Sequence, residues 1–297
     1  MISARSLLFV PATSERKIDK AYQSAADGII LDLEDAVAVS EKPAARAAIA
    51  AIVAKPRPLP TWVRINASTM PHCYSDLLAV CVPGIFGLVV PKLESAEEMR
   101  MIDWVMAQLE QAHGLPLGGI TVMGIVETAR GLEATAEIAK SSPRLGRLVF
   151  GAVDLAADLG IDLDDDAGAT DQARFAIACA SRAAGIAAPM DTAFANIKDL
   201  DALRATSMRA RGLGYRGKCC IHPTQVNVVN TVFTPSSEDL ALAQRIVEAF
   251  EAAERSGVAA VSMDGFMIDN PVAEKARRLL ASAGGWSVGR ESQAGNA

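Results

Sequence analysis

Ile120-Thr121-Val122-Met123-Gly124-Ile125-Val126, closed by Glu127-Thr128, is an apolar run that does not alternate and that ends on an acid. A strand with one face in water alternates apolar and polar residues. A run that is apolar throughout belongs to a parallel strand covered on both faces. Seven further runs share this character: Ser6–Val10, Gly28–Leu33, Thr61–Ile65, Gly87–Val90, Leu145–Val153, Ile186–Met190 and Lys218–Ile221. Segments of helical character lie between them. Glu15–Ala26 and Glu41–Val53 precede the second and third runs, and Met70–Val82 and Ser95–Gln111 follow the third and fourth. Gly131–Lys140, Asp171–Ala184 and Asp199–Met208 fill the later gaps. Strand starts recur roughly every 20 to 40 residues, the length of a βαβ unit. Eight such units predict an α/β fold, a (β/α)8 TIM barrel. A doubly wound open sheet has fewer strands and a glycine-rich first turn. The first turn here is Val10-Pro11-Ala12-Thr13-Ser14, which is no G-x-G-x-x-G.

The barrel is expected over residues 1–232, a C-terminal helical extension over 233–283 and a flexible polar tail over 284–297. Ser236-Ser237-Glu238-Asp239 has the pattern of an N-terminal cap ahead of a helix from Leu240 to Arg255. A loop, Ser256–Asn270, then leads to a last helix with Pro271 in its first turn, running to Ala281.

Of the 297 residues, 51% are hydrophobic and 22% charged, which excludes a disordered chain. The net charge of −6 argues against a nucleic-acid partner, which needs a basic stripe. No apolar run approaches a membrane span, so no membrane partner is expected. Leu7–Val10 is too short for a signal peptide and is closed by Pro11, which points to a cytoplasmic protein. The five cysteines, Cys73, Cys81, Cys179, Cys219 and Cys220, are odd in number and lack a metal-ligand spacing, and are expected to be reduced.

Barrel chemistry sits at the carboxyl ends of the strands. The residues found there are Asp32-Leu33-Glu34-Asp35, Arg64 with Asn66, Pro91-Lys92, Glu127-Thr128, Asp154, Asp191-Thr192 and His222-Pro223-Thr224-Gln225. Burying an unpaired ion costs several kcal/mol, on the order of a whole protein's stability, so these charges must face partners, a metal or a ligand. Glu127 and Asp154 come from adjacent strands and would both point into the mouth. Two carboxylates without His or Cys suit a hard ion, Mg2+, which keeps several waters and binds substrate oxygens. The alternative is a structural acid paired with Arg and, for Asp154, a helix cap. Arg64, flanked by Val63 and Ile65, would enter the barrel. It either forms an internal salt bridge with Asp32 or Glu34 or clamps a carboxylate or enolate oxygen. Among Asp32, Glu34 and Asp35, at least one is expected to cap a turn or pair with Arg64 or Lys92. His72 and His113 lie in loop or helix-end positions, and His222 in a His-Pro turn, so no Ser-His-Asp or Cys-His order stands out. Lys92 and Lys218 could in principle form Schiff bases, a lesser route beside two metal-type carboxylates.

Six segments in order carry a resemblance: Arg5-Ser6-Leu7-Leu8-Phe9-Val10-Pro11, Leu31-Asp32-Leu33-Glu34-Asp35-Ala36-Val37, Val63-Arg64-Ile65-Asn66, Val126-Glu127-Thr128-Ala129-Arg130-Gly131, Gly151-Ala152-Val153-Asp154-Leu155 and Gly217-Lys218-Cys219-Cys220-Ile221-His222-Pro223. They resemble the citrate lyase β-subunit-like family of the HpcH/HpaI aldolase/citrate lyase superfamily, which includes malyl-CoA and citramalyl-CoA lyases. The resemblance implies a barrel with Mg2+ on Glu127 and Asp154 and with Arg64 on the substrate's carbonyl or enolate oxygen. It also gives a role to the late loop Met263-Asp264-Gly265-Phe266-Met267-Ile268-Asp269-Asn270-Pro271. In CoA-ester lyases of the family, the matching acid, here Asp269, reaches a neighbouring subunit's site as acid/base. A helix cap is the plain alternative for Asp269. The resemblance also implies CoA contacts from basic residues after strand one, here Arg16 and Lys20, with Lys42 a further candidate. Many relatives have Pro-Gly after strand one, where this chain has Pro11-Ala12.

The activity expected is Mg2+-dependent retro-Claisen cleavage of a β-hydroxyacyl-CoA to a 2-oxo acid and an acyl-CoA. The substrate's carboxylate would be held by Gly151, Ala152 and Val153 at a helix start. Alternatives are a citrate lyase β subunit dependent on an acyl-carrier complex, a class II 2-oxo-acid aldolase and a malyl-CoA thioesterase. A homotrimer or hexamer is the expected assembly.

Overall fold

The computed structural model describes residues 4–163 and 168–284. The tail expected at 284–297 lies, beyond Gly284, outside them. The chain divides into two compact units, Ala4–Phe233 and the residues from Thr234 onward.

The first unit is the expected (β/α)8 barrel. Among the described residues its strands are β1 Ser6–Pro11, β2 Gly28–Asp32, β3 Thr61–Arg64, β4 Gly87–Val90, β5 Thr121–Val126, β6 Leu145–Phe150, β7 Ala187–Met190 and β8 Lys218–Cys220. They pair in parallel in the order β7-β6-β5-β4-β3-β2-β1-β8. The Asp191–Lys218 bridge then joins the end of β7 to β8 and closes the ring. Alternate side chains fill the interior, among them Leu7, Ile30, Trp62, Val89, Met123 and Val149. Their outward neighbours pack under the helices. Burial on both faces is why the strands read as unbroken apolar runs.

The helices are α1 Glu15–Tyr22, α2 Lys42–Val53, α3 Cys73–Val80, α4 Ala96–Ala112, the short α5 Ala129–Glu133 and α6 Thr135–Ile138, α7 Ala152–Leu159, α8 Gly168–Ala184, α9 Leu200–Gly212 and α10 Pro223–Phe233. Two boundaries differ from expectation. The run read as a strand to Val153 stops at Phe150, and Gly151 starts α7, because Ala152 and Val153 are apolar helix residues that periodicity cannot tell from a strand. Asp154 is therefore in a helix's first turn, not at a strand end. The unassigned stretch after β8 is α10, with Pro223 at its start.

Glu110 of α4, fully buried, ties that helix to the start of β5. It accepts hydrogen bonds from Arg144 Nη1 and Nη2 (2.6 and 2.9 Å) and from the N–H groups of Gly118 and Ile120 (2.8 and 2.9 Å). Burial works against the charged form, but these donors outweigh it and hold the carboxyl below its ordinary value.

The second unit begins with α11 Ser237–Arg255, closed by a capping box in which Ser236 and Asp239 bond each other's N–H groups. The segment expected as a loop contains a hairpin, β9 Val261–Met263 and β10 Phe266–Ile268. Its two turn residues, Asp264 and Gly265, both have positive φ (+52° and +83°), as a type I′ turn requires. The last helix, α12, spans Asn270–Gly284. Phe250, Ile268 and Ala273 form this unit's core. Among the described residues no helix is long and apolar enough to cross a membrane. All five cysteines are free, four of them buried.

Replacing Arg144 with Met leaves Glu110 a buried charge short of its main partner. We expect a loss of about 3–5 kcal/mol in urea unfolding. Because the folded-state pKa of Glu110 is depressed, its contribution is full above its ordinary value of 4.5 and is lost as pH falls through the lower folded value, so the gap between wild type and variant should narrow in acid.

Candidate active site

The parallel register places Asp32, the last residue of β2, beside Arg64, the last of β3. Their side chains make a two-pronged pair: Arg64 Nε donates to Asp32 Oδ1 at 2.7 Å and Nη2 to Oδ2 at 2.6 Å. Asp32 also accepts the N–H groups of Glu34 and Ala36, which folds the chain back over the barrel mouth. Arg64 Nη1 lies 2.9 Å from Glu34 Oε2, and the guanidinium rests over the Phe9 ring at 5.0 Å. The salt-bridge alternative for Arg64 is thus present with both acids. Asp32 raises the already high guanidinium pKa against the effect of burial.

Glu34 is buried. Its Oε1 accepts from Lys92 Nζ at 2.7 Å, while Oε2 has no aligned hydrogen-bond donor. Burial pushes its carboxyl above the ordinary range despite Arg64 and Lys92. Asp35 is mostly exposed, 3.9 Å from Arg64 and 4.0 Å from Lys92.

Glu127 directly follows β5 and is 3% exposed. Its Oε1 accepts the Lys92 backbone N–H at 2.8 Å. Its Oε2 occupies the space that a side chain at residue 151 would fill, so the first turn of α7 approaches closely only because Gly151 has no Cβ. Burial, with Asp154 the next cause, pushes Glu127 up to about 8. Asp154, in the first turn of α7, lies 3.6 Å from Lys92 Nζ.

Glu127, its proton affinity raised by burial and by the Asp154 charge, shares with Asp154 a site short of positive charge. Among the described residues no three His, Cys, Asp or Glu side chains gather into a full metal cage. The pair therefore suits a hard cation that keeps most of its shell as water and ligand oxygen, not one that needs nitrogen or sulfur.

The backbone donors expected at Gly151–Val153 are partly engaged. Gly151 N–H bonds Val126 O at 3.1 Å, and Ala152 N–H bonds Thr192 Oγ1 at 3.1 Å. Val153 and Asp154 come before the first intrahelical bond, Leu155 N–H to Gly151 O, so the helix does not use their N–H groups. Thr192, noted in the sequence at the end of β7 but given no role there, braces this turn from the loop after β7. No local pattern announces such a long-range bond.

The Lys42 assignment does not hold. The side chain is buried, and Nζ donates to Leu33 O, Glu34 O and Asn66 Oδ1 at 2.6, 2.8 and 2.7 Å. All three protons are used, and Lys42 buttresses the Asp32–Glu34 turn from behind. Asn66 in turn donates to Asp76, which pairs with Arg46. Arg16 and Lys20 are exposed on α1. Lys218 is 1% exposed and lines a cavity beside α7, and its ammonium is bonded to Asp191, which also holds Arg174. His222 satisfies its own turn through Thr224 at 2.8 Å. In the second unit, Asp269 caps α12, its Oδ1 accepting Val272 N–H at 3.3 Å. A cavity of about 250 Å³ adjoins the α7 turn at Ala152 and Val153 and is lined also by Thr192 and Phe194.

The family model for HpcH/HpaI aldolase/citrate lyase matches residues 5–223. The citrate lyase subunit beta of Haemophilus influenzae is 33% identical, the match covering 94% of this chain and 96% of that one. A (3S)-malyl-CoA thioesterase of Cereibacter sphaeroides is 35% identical, with 94% of each chain covered. The crystal structure of CitE from Mycobacterium tuberculosis, in complex with magnesium, acetoacetate and coenzyme A, superimposes with a TM-score of 0.78 at 34% identity. It covers 94% of this chain and 98% of that one.

Proposed function

The chain belongs to the HpcH/HpaI aldolase/citrate lyase family, and on that premise we propose that it is a Mg2+-dependent carbon–carbon lyase that cleaves a β-hydroxyacyl-CoA to a 2-oxo acid and an acyl-CoA. The observation that carries this reading is the pairing of buried Glu127 with Asp154 at the barrel mouth, a charge-deficient oxygen site beside the open N–H groups of a helix start. The magnesium, acetoacetate and CoA in the complex of the Mycobacterium tuberculosis relative support it.

Glu127 and Asp154 are the residues that would hold Mg2+. When bound, the ion supplies Lewis-acid polarisation of a carboxylate and an adjacent oxygen. The N–H groups of Val153 and Asp154 face the same carboxylate with the positive end of α7. Arg64, held rigid by Asp32, Glu34 and Phe9, presents its charge to the oxygen on which negative charge develops as the carbon–carbon bond breaks. Asp32, Glu34 and Asp35 orient it and Lys92. Arg16 and Lys20, exposed on α1, are the remaining candidates for the CoA phosphates. Asp269 moves the proton at the thioester's α-carbon, supplied to the site of an adjacent copy in a homotrimer or hexamer. The exposed apolar Phe266 and Met267, 76% and 68% accessible just before it, support a hairpin that another copy covers.

Two rival readings have specific support. Water in place of the carbon–carbon cleavage would make the site a malyl-CoA thioesterase, like the Cereibacter sphaeroides relative. Dependence on an acyl-carrier subunit would make it a citrate lyase β subunit, like the Haemophilus influenzae one.

The purified chain alone, incubated with Mg2+ and malyl-, citramalyl- and citryl-CoA, should release a 2-oxo acid and a shorter acyl-CoA by mass spectrometry, and chelation of divalent metal should stop it. Free CoA with an intact hydroxy acid means a thioesterase, and no turnover without an acyl-carrier protein means a dependent subunit. Arg64→Lys should lower kcat by about 10²-fold or more, because an ammonium cannot keep the two-pronged Asp32 pair and also face the substrate; a change confined to KM would make Arg64 a binding group only. Asp269→Asn and Glu127→Gln proteins should each be nearly inactive, whereas co-expressed mixed oligomers should recover part of the activity. No recovery despite confirmed mixing would mean that Asp269 acts in its own chain or only caps α12.

A further inference from the structure

Lys92 follows Pro91 just past β4, and its backbone is left-handed, with φ +47°. Among the described residues Asp264 is the other non-glycine residue in that region, and it sits in a hairpin turn that demands it. A lysine gains nothing intrinsic from this conformation, which is strained relative to the right-handed one. The turn sends the Lys92 N–H to Glu127 Oε1 at 2.8 Å and the side chain across the mouth. There Nζ lies 2.7 Å from Glu34 Oε1, 3.6 Å from Asp154 Oδ1 and 4.0 Å from Asp35 Oδ2. A single residue thus touches acids that follow β2, β5 and β6. The contacts differ in kind. Glu127 and Glu34 accept true hydrogen bonds. Asp154 is held only by charge, at a distance that leaves its oxygens able to turn elsewhere. Glu127 is fixed at both oxygens, Oε1 by the Lys92 N–H and Oε2 by the room beside Gly151, on the side where α7 begins.

We propose that Lys92 is the positioning residue of the cation site, in two separable parts. Its main chain turns Glu127 so that Oε2 faces the cation. Its ammonium is a resident positive charge that competes with the cation for Asp154 and so sets its affinity to a moderate value. The inference rests on the reading that Glu127 and Asp154 hold a divalent cation, and the test separates the two. A like charge about 4 Å from a divalent ion weakens binding by about thirtyfold even at the dielectric of bulk water, and by more as the dielectric falls. Losing the ammonium should therefore tighten cation binding. Losing the left-handed turn should loosen it.

The experiment titrates Mn2+ into each purified full-length protein and follows the free aquo-ion by electron paramagnetic resonance, with circular dichroism confirming the fold. Lys92→Met and Lys92→Gln should bind Mn2+ at least about tenfold more tightly than wild type; the glutamine keeps a hydrogen bond to Glu34 should methionine destabilise the mouth. Lys92→Gly, which favours the left-handed turn, should bind as tightly as these. Lys92→Val lacks the ammonium too, but a β-branched residue resists positive φ, so it should bind more weakly than Lys92→Met. Unchanged or weaker binding in both Lys92→Met and Lys92→Gln overturns the competing-charge part. A Lys92→Val protein as tight as Lys92→Met overturns the main-chain part. Glu127→Gln is the control: if it binds Mn2+ like wild type, the site reading itself fails, whatever the Lys92 variants do.

Discussion

The carboxylate of Glu127, 3% exposed at the end of β5 and close to a second acid, is the constraint around which the barrel mouth is arranged. A charge this buried is tolerated only where other charges and dipoles meet it. The fold supplies two such features. The Lys92 N–H meets one oxygen, and the missing Cβ of Gly151 lets the positive end of α7 come close, while Asp154 adds a second negative charge beside it.

Parallel register turns sequence spacing into a site. Asp32, Arg64, Lys92 and Glu127 are some thirty residues apart along the chain, yet each stands at or just past the carboxyl end of its strand, and the ring brings them together. Behind them sits a layer without chemistry of its own. Lys42 and Asn66 hold the Asp32–Glu34 turn, Thr192 holds the start of α7, and Glu110 with Arg144 anchors β5 from its far end. This layer keeps the mouth from rearranging when ligand charge enters, a condition for electrostatic stabilisation in a site that excludes water.

The eight buried strands were legible because short, continuously apolar runs bounded by turn residues fit parallel strands covered on both faces, and the acids at their ends were legible because charge beside apolar sequence needs a reason. The errors have physical causes. Gly151 hides a strand-to-helix junction inside one apolar run. The hairpin at Val261–Ile268 was announced by Asp264-Gly265 between apolar pairs and was overlooked because its strands are only three residues long. Lys42 read as a surface cation because a sequence cannot show that three carbonyl oxygens, from residues 33, 34 and 66, converge on one ammonium. The left-handed turn at Lys92 was equally hidden, since no glycine or asparagine marks it. For Arg64 the sequence left two roles open, and the geometry shows the salt bridge, with Asp32 and Glu34.

Anomalous diffraction from crystals grown with Mn2+ and a 2-oxo acid such as pyruvate tests the central claim most directly. The account predicts one peak at the barrel mouth, about 2.0–2.2 Å from oxygens of both Glu127 and Asp154, with the ligand's carboxylate and adjacent oxygen completing the octahedron. The 2-oxo acid bound at the mouth with no metal, or a peak coordinated elsewhere while Glu127 and Asp154 stay unliganded, would contradict it.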